Sequence, residues 1–230
     1  MSSTIAEELG SNTDRLNNAE IMHGVVPAIV SNLKDPEKLG RIKVTFPWLA
    51  EESETDWVRV LSFYAGSDRG VFFPPEVGDE VLVVFQKGNV NAPYVIGSLW
   101  SSKAKPPEQN ADGKNNIKII KSRAGHEITL SDDTQSKKAK IEIKSSAGNI
   151  ITLDDAAGKE KIEIKDKTGG EKIILDAVKK SITIESGMKL DIKANMITIE
   201  AKSTLALKGA IFKAEASGIA EIKGAMVKIN

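Results

Sequence analysis

From Ile182 onward, apolar and polar residues alternate in short blocks at a fixed interval. Apolar pairs begin at Ile182, Leu190, Ile197, Leu205, Phe212, Ala220 and Val227, in steps of 8, 7, 8, 7, 8 and 7. The blocks read in-out-in-out, as in Ile182-Thr-Ile184-Glu185 and Leu190-Asp-Ile192-Lys193. A period of two predicts strands that send two side chains to one face. Such short strands do not stand alone and must stack on neighbours about 4.8 Å away. Upstream the units are longer. Gly125-His-Glu-Ile-Thr-Leu130, Gly148-Asn-Ile-Ile-Thr-Leu153 and Gly170-Glu-Lys-Ile-Ile-Leu175 recur at spacings of 23 and 22. Ile141-Glu-Ile-Lys144 and Ile162-Glu-Ile-Lys165 lie between them, joined by turns such as Ser131-Asp-Asp and Ala157-Gly-Lys-Glu. Residues 117–230 are therefore expected to be strands throughout, in a stacked repeat architecture.

Two arrangements satisfy this repeat. One chain could coil on itself with three strands per turn, about 22 residues per coil, as a solenoid. Alternatively, three copies could wind into a three-faced prism. The fourth position of each block reads Glu185, Lys193, Glu200, Lys208, Glu215 and Lys223, alternating in sign until Asn230. Opposite charges on adjacent strands stabilise a sheet face by roughly 0.2–1 kcal/mol per pair. The pattern thus suits neighbours offset by one repeat, whichever chain supplies them. The inward slots, which form the trimer core in the prism reading, are Ile182, Ile184, Leu190, Ile192, Ile197, Ile199, Leu205, Leu207, Phe212, Ile222, Val227 and Ile229. Phe212 is the one large inward residue, and small Ala214 and Ala220 are its nearest inward neighbours, as a core of fixed width requires.

Residues 21–100 are built differently. Every aromatic residue except Phe212 lies between Phe46 and Trp100, and no proline follows Pro107. Expected strands are Ile21–Val30, Gly40–Phe46, Trp57–Tyr64, Glu80–Phe85 and Tyr94–Leu99. Turn residues separate them: Lys34-Asp-Pro-Glu, Pro74-Pro75, Gly78-Asp79, Lys87-Gly-Asn and Asn91-Ala-Pro. The continuous apolar run Val81–Phe85 reads as a strand buried on both faces. A five-stranded antiparallel barrel of the OB type suits this length. The chain thus divides into an N-terminal arm (1–20), a barrel (21–100), a polar linker (101–116) and a repetitive spike (117–230). The fold class is all-β.

Charge and chemistry narrow the functions. Lys+Arg and Asp+Glu balance at 32 each, with the barrel half mildly acidic, so no basic field argues for nucleic acid. Cysteine is absent, which excludes disulfides and thiolate metal sites. The N-terminus lacks a basic, then apolar, secretory signal, and no run of 18 apolar residues would cross a membrane as a helix. The paired carboxylates Asp132-Asp133 and Asp154-Asp155 each follow a strand and precede turn residues, so they read as solvated turns. The only histidines, His23 and His126, are far apart, which gives no metal site. No nucleophile–base signature or phosphate loop appears. The expectation is a structural protein with no catalytic residue and no cofactor. The competing classes are a single-chain β-solenoid polysaccharide-active enzyme and an OB-fold binding protein.

The barrel carries a family resemblance. Gly40-Arg-Ile-Lys-Val-Thr-Phe-Pro-Trp48, Trp57-Val-Arg-Val60, Gly70-Val-Phe-Phe-Pro-Pro-Glu-Val-Gly-Asp-Glu-Val-Leu-Val-Val-Phe85 and Gly88-Asn-Val-Asn-Ala-Pro-Tyr-Val-Ile-Gly97 resemble, in order and spacing, phage baseplate assembly protein V and the related VgrG spike proteins. The resemblance implies a homotrimeric central spike in a contractile injection system. Its OB barrels would sit on a separate ring-shaped hub protein, and an intertwined trimeric β-helix, or β-prism, would form a needle driven into the target envelope. It also implies assembly in the cytoplasm, as part of the baseplate of a phage or phage-tail-like particle. Residues 1–20 are too short for a fused hub, and 101–116 leave no room for an inserted hydrolase. Some phage spikes carry a metal-bound apex with paired histidines, which this sequence lacks near its end. A separate PAAR-type tip protein is expected instead, binding Val227, Ile229 and Asn230.

Overall fold

The computed structural model describes residues 22, 24–48, 54–135 and 138–228. The chain forms two compact units divided between Ile184 and Glu185. The first unit opens with a barrel. Its strands are β1 (Val25–Asn32), β2 (Lys43–Thr45), β3 (Arg59–Val60), β4 (Ala65–Gly66), β5 (Arg69–Gly70), β6 (Glu80–Phe85) and β7 (Pro93–Ser98). Five of them pair in the order β2-β1-β6-β7-β3. A bridge between Ile42 and Val58 joins the two ends of that order and closes the sheet on itself. β3 runs parallel to β7, and the other pairs are antiparallel. This is the five-stranded barrel of the OB type. Register shifts, with Ser31 extra on β1 and Ile96 extra on β7, bend those two strands, as closure of so small a barrel requires.

Alternation puts Ala28 and Val30, Ile42 and Val44, Val58, Val81 and Val83, and Val95 into the core. Phe46 and Phe85 close it with ring centroids 6.1 Å apart. The strand at Glu80–Phe85 falls where the sequence places it, but it is not buried on both faces. Val81, Val83 and Phe85 point inward and are buried; Leu82 and Val84 are half-buried on the outer side. A barrel has one interior, so a continuous apolar run still divides into two faces. Trp48 is half-exposed and packs 5.7 Å from Phe46, and Trp57 lies under the Lys43 ammonium. Both tryptophans pack around the core rather than within it. The short β4–β5 hairpin is not legible in the hydrophobic pattern.

The first unit continues as a seven-stranded antiparallel sheet: β8 (Ile117–Lys121), β9 (Glu127–Ser131), β10 (Lys140–Lys144), β11 (Ile150–Asp154), β12 (Lys161–Lys165), β13 (Lys172–Asp176) and β14 (Ser181–Glu185). Each strand neighbours those next to it in sequence, in the order β14-β13-β12-β11-β10-β9-β8. This meander overturns the coiled solenoid alternative for these residues, because a solenoid stacks strands one full coil apart. The 22- and 23-residue spacing is the length of a hairpin pair, two strands and two turns, rather than one coil.

The second unit departs from the expectation of strands to the end of the chain. Residues 186–228 contain no strand. Their backbone is bent at 187–188, 195, 202–203, 210–211, 217–218 and 225. These corners repeat the seven/eight rhythm, and the apolar pairs lie in the segments between them. Segments of five or six residues that meet at corners of one or two residues leave no room for a hairpin turn. The segments therefore find no ladder partner among the described residues of their own chain.

Candidate functional site

The sheet β8–β14 is two-faced, and its faces are unequal. In register, Leu130, Ile141, Leu153, Ile162 and Leu175 form one unbroken cross-strand row. Ile120, Ile128, Ile143, Ile151, Ile164 and Ile173 form a second, parallel to it. Every one of these except Leu153 is between 37% and 52% exposed. β-branched and leucine side chains opposite one another suit a pleated surface. Here they make a continuous apolar stripe across six strands, which no described residue covers. Covering each such side chain is worth on the order of 1 kcal/mol. Monomeric proteins rarely leave a contiguous patch of this extent in water.

The opposite face is mostly polar and charged, with Ile117, Ile119, Ile150 and Ile174 set among its side chains. Lys140, Asp154, Lys161 and Asp176 follow one another across β10 to β13, alternating in sign. The ammonium groups of Lys140 and Lys161 turn along their own strands to Glu142 and Glu163, at 2.8 and 3.3 Å. Lys121 pairs across strands with Glu127 at 3.2 Å. The Thr129 hydroxyl, then Lys121, holds the Glu127 carboxyl below its ordinary range. A charge alternation of the kind read from Glu185 to Lys223 thus runs across this upstream sheet within one chain. From Lys193 to Lys223 no such ladder exists among the described residues; Lys223 pairs locally with Glu221, as Lys189 does with Asp191 just before this stretch.

Three equivalent turns order one edge of the sheet. The side chains of Ser122, Ser145 and Asp166 accept the amides of His126, Asn149 and Glu171, which close the three turns. Each turn is then tied to the next. His126 Nδ1 accepts the Ser146 amide at 3.3 Å, and Asn149 Oδ1 accepts the Lys167 amide at 3.1 Å. His126 thus ties one turn to the next. Gly148, at φ +97°, sits where a side chain would crowd Lys167. Asp132 and Asp155 lie in exposed turns, and Asp154 caps its own turn by accepting the Ala156 amide. Among the described residues no three His, Cys, Asp or Glu side chains converge to hold a metal. His23 lies outside the described residues.

The sequence-assigned inward residues divide. Ile182 and Ile184 lie on β14, at the edge of the sheet. Leu190, Ile192, Ile197, Ile199, Leu205, Leu207, Phe212, Ile222 and Val227 follow in the second unit. All eleven are between 51% (Ile197) and 82% (Ile222) exposed, so none is buried by its own chain. Ile229 and Asn230 lie outside the described residues. The sequence reading began this series at Ile182 and missed the two rows from Ile120 to Leu175. Their signal was present in the Ile-Glu-Ile and Ile-Thr-Leu spacing of the longer units.

Comparison with known proteins agrees with the barrel. Residues 26–100 match the family described as "Type VI secretion system/phage-baseplate injector OB domain". The chain is 32% identical over 114 residues to Type VI secretion system spike protein VgrG2a of Pseudomonas aeruginosa, a match covering 46% of this chain and 13% of that protein. It is 35% identical over 82 residues to spike protein VgrG3 of Vibrio cholerae, covering 34% and 8%. Actin cross-linking toxin VgrG1 of Vibrio cholerae is 36% identical over 72 residues, covering 30% and 7%. The chain thus matches about an eighth or less of the length of these relatives. Within that stretch it is VgrG-like.

Proposed function

We propose that this chain is the trimeric central spike of a contractile, phage-tail-like injection system. In this reading it is a structural part, joining a baseplate hub to an envelope-piercing tip, and it performs no catalysis. The observation that carries the proposal is the uncovered apolar stripe from Ile120 to Leu175, continued as exposed pairs between the corners of residues 186–228. Three copies placing these stripes against one another would bury them in a common core. In the second unit each segment would find its ladder partner on another copy. There the alternation Glu185, Lys193, Glu200, Lys208 would set opposite charges side by side. The names of the VgrG relatives as spike proteins support the same role.

The reading includes two partners and a place of assembly. A ring-shaped hub protein would take the barrel. A PAAR-type tip protein would cover Val227, Ile229 and Asn230. The trimer would assemble in the cytoplasm, join a baseplate, and touch the target envelope only during firing. Light scattering on the purified chain tests the core of this: a trimer that persists in detergent and heat is expected, and a monomer refutes it. Ile199→Asp should then prevent the trimer, since it would place three carboxylates in one core layer. Pull-down of a tip protein by the intact spike, lost on replacing Val227 with Asp, tests the tip assignment; capture unaffected by that change would overturn it.

A further inference from the structure

The barrel carries a second apolar surface that the needle reading leaves unused. It is centred on the β4–β5 hairpin. Phe63 is 97% exposed, and Leu61, Tyr64, Phe72 and Phe73 are all more than half exposed. Continuing the register of Ala65 with Gly70 sets Phe63 opposite Phe72 at the hairpin base. Phe72 reaches back to Gly40, at the end of the loop that exposes Leu39. At 150–250 Å² per aromatic side chain, this surface amounts to on the order of 600 Å². That is most of one side of a standard protein interface, about 800 Å².

The hairpin is built to be rigid. Gly70 adopts φ +148°, and a Cβ there would lie 2.5 Å from the Tyr64 carbonyl oxygen. The Ser62 hydroxyl is 2.7 Å from the Val71 carbonyl oxygen and 3.1 Å from that of Tyr64, clamping both sides of the base. The Val71 amide donates to Tyr64. The turn itself is polar, with Asp68 at φ +54° followed by Arg69. Rigid aromatic side chains with a polar rim are what interfaces use as anchors, because little freedom is lost on docking.

We infer that this hairpin docks onto the barrel of a second copy of this chain. The inference rests on the trimer reading and deepens it. The barrel lies in the same compact unit as the sheet and is tied to it by Arg123, in the first sheet turn, which binds Glu76 at 2.6 Å. Glu76 is three residues beyond Phe73. Copies that meet through the apolar stripe therefore bring their barrels close to one another, and the aromatic residues stand close along the chain to this tie. A knob on one barrel received by a different surface of the next is a head-to-tail contact, the kind that closes a threefold ring.

The test is a photo-crosslinking residue, p-benzoylphenylalanine, at position 63 of the full-length chain, read beside light scattering. At so exposed a position the change leaves folding undisturbed. The expected result is a trimer that, on irradiation, yields covalent dimers and trimers on denaturing gels, with the link mapped to another copy's barrel. A trimer without interchain links overturns the inference and leaves the trimer reading standing. So does a link mapped to residues 1–21 of the same chain. A monomer by light scattering overturns both. As a second readout, Phe63→Ser with Phe72→Ser should lower the temperature at which the trimer dissociates, and an unchanged temperature counts against the docking.

Discussion

Single carboxylates fix the turns of this chain. Asp35 holds the β1–β2 loop: its oxygens accept from Arg41 Nη2 at 2.7 Å and Nε at 3.1 Å, and from the amides of Glu37, Leu39 and Arg41. The Arg41 guanidinium, more than the amides, keeps this carboxyl far below the ordinary range. Asp166 does the same for the β12–β13 turn. The Thr168 hydroxyl, at 2.6 Å, and then the Thr168 amide lower its pKa to about 2. A carboxylate depressed on folding stabilises the fold fully above its unfolded pKa and loses that effect as pH falls through the folded value. The β12–β13 turn should therefore stay closed at pH 3 and open only near pH 2. Titration of the Asp166 side-chain carbon by NMR, with exchange of the Glu171 amide, reads both events; a midpoint near 3.9, the ordinary aspartate value, would contradict the bonding. Asp166→Ala should remove the protection of Glu171 at neutral pH. The sequence placed Asp35 in a turn because Asp before Pro is turn chemistry. It gave no sign that Asp35 bonds an arginine six positions on, since a six-residue return depends on how the whole loop closes.

Strands that alternate cleanly were legible, and strands that depend on something else were not. Glu80–Phe85 matches its expected limits because its turns and its apolar residues agree. The β4–β5 hairpin was hidden because Ala65, Gly66, Arg69 and Gly70 offer no alternation. It exists because Gly70 permits a close backbone approach that no other residue allows. Gly70→Ala should therefore destabilise the barrel by about 1–3 kcal/mol, the typical cost of a forced backbone conformation. Gly97→Ala, on β7 with no atom within 4 Å of the new methyl, should change stability by less than about 1 kcal/mol. Denaturant unfolding followed by tryptophan fluorescence separates the two; equal effects would mean that the hairpin base is looser than its geometry. The segments of residues 186–228 failed as strands for the opposite reason. Their pattern is strong, but a strand is completed by a neighbour, and no neighbour is available in one chain.

At the scale of the molecule, the same two-residue period yields two different outcomes. Where turns of four to eight residues separate the strands, up to Glu185, the chain folds back and pairs with itself, leaving one apolar face open. Where corners replace turns, both the apolar residues and the backbone ladder remain unpaired. In the proposed assembly the second unit would therefore depend on partner chains more strictly than the first, whose face would need only a cover. Adjacent residues on β12 isolate that need. Ile164 is 44% exposed on the apolar face, whereas Glu163 lies on the polar face between Lys161 and Lys165. Because Ile164 is already half in water, Ile164→Lys should leave the fold of one chain nearly intact, within about 0.5 kcal/mol as for an exposed site. In an assembled core the same change would bury three ammonium groups against one another, at a cost of several kcal/mol each. Glu163→Gln removes a charge from the outer face and should leave association unchanged. Light scattering with circular dichroism on both variants checks this. The expected result is a β-rich species that no longer associates for Ile164→Lys, and an unaltered trimer for Glu163→Gln. If Ile164→Lys still assembles, the open stripe is not the face on which the copies meet, and the core must lie on the charged side or in the second unit alone.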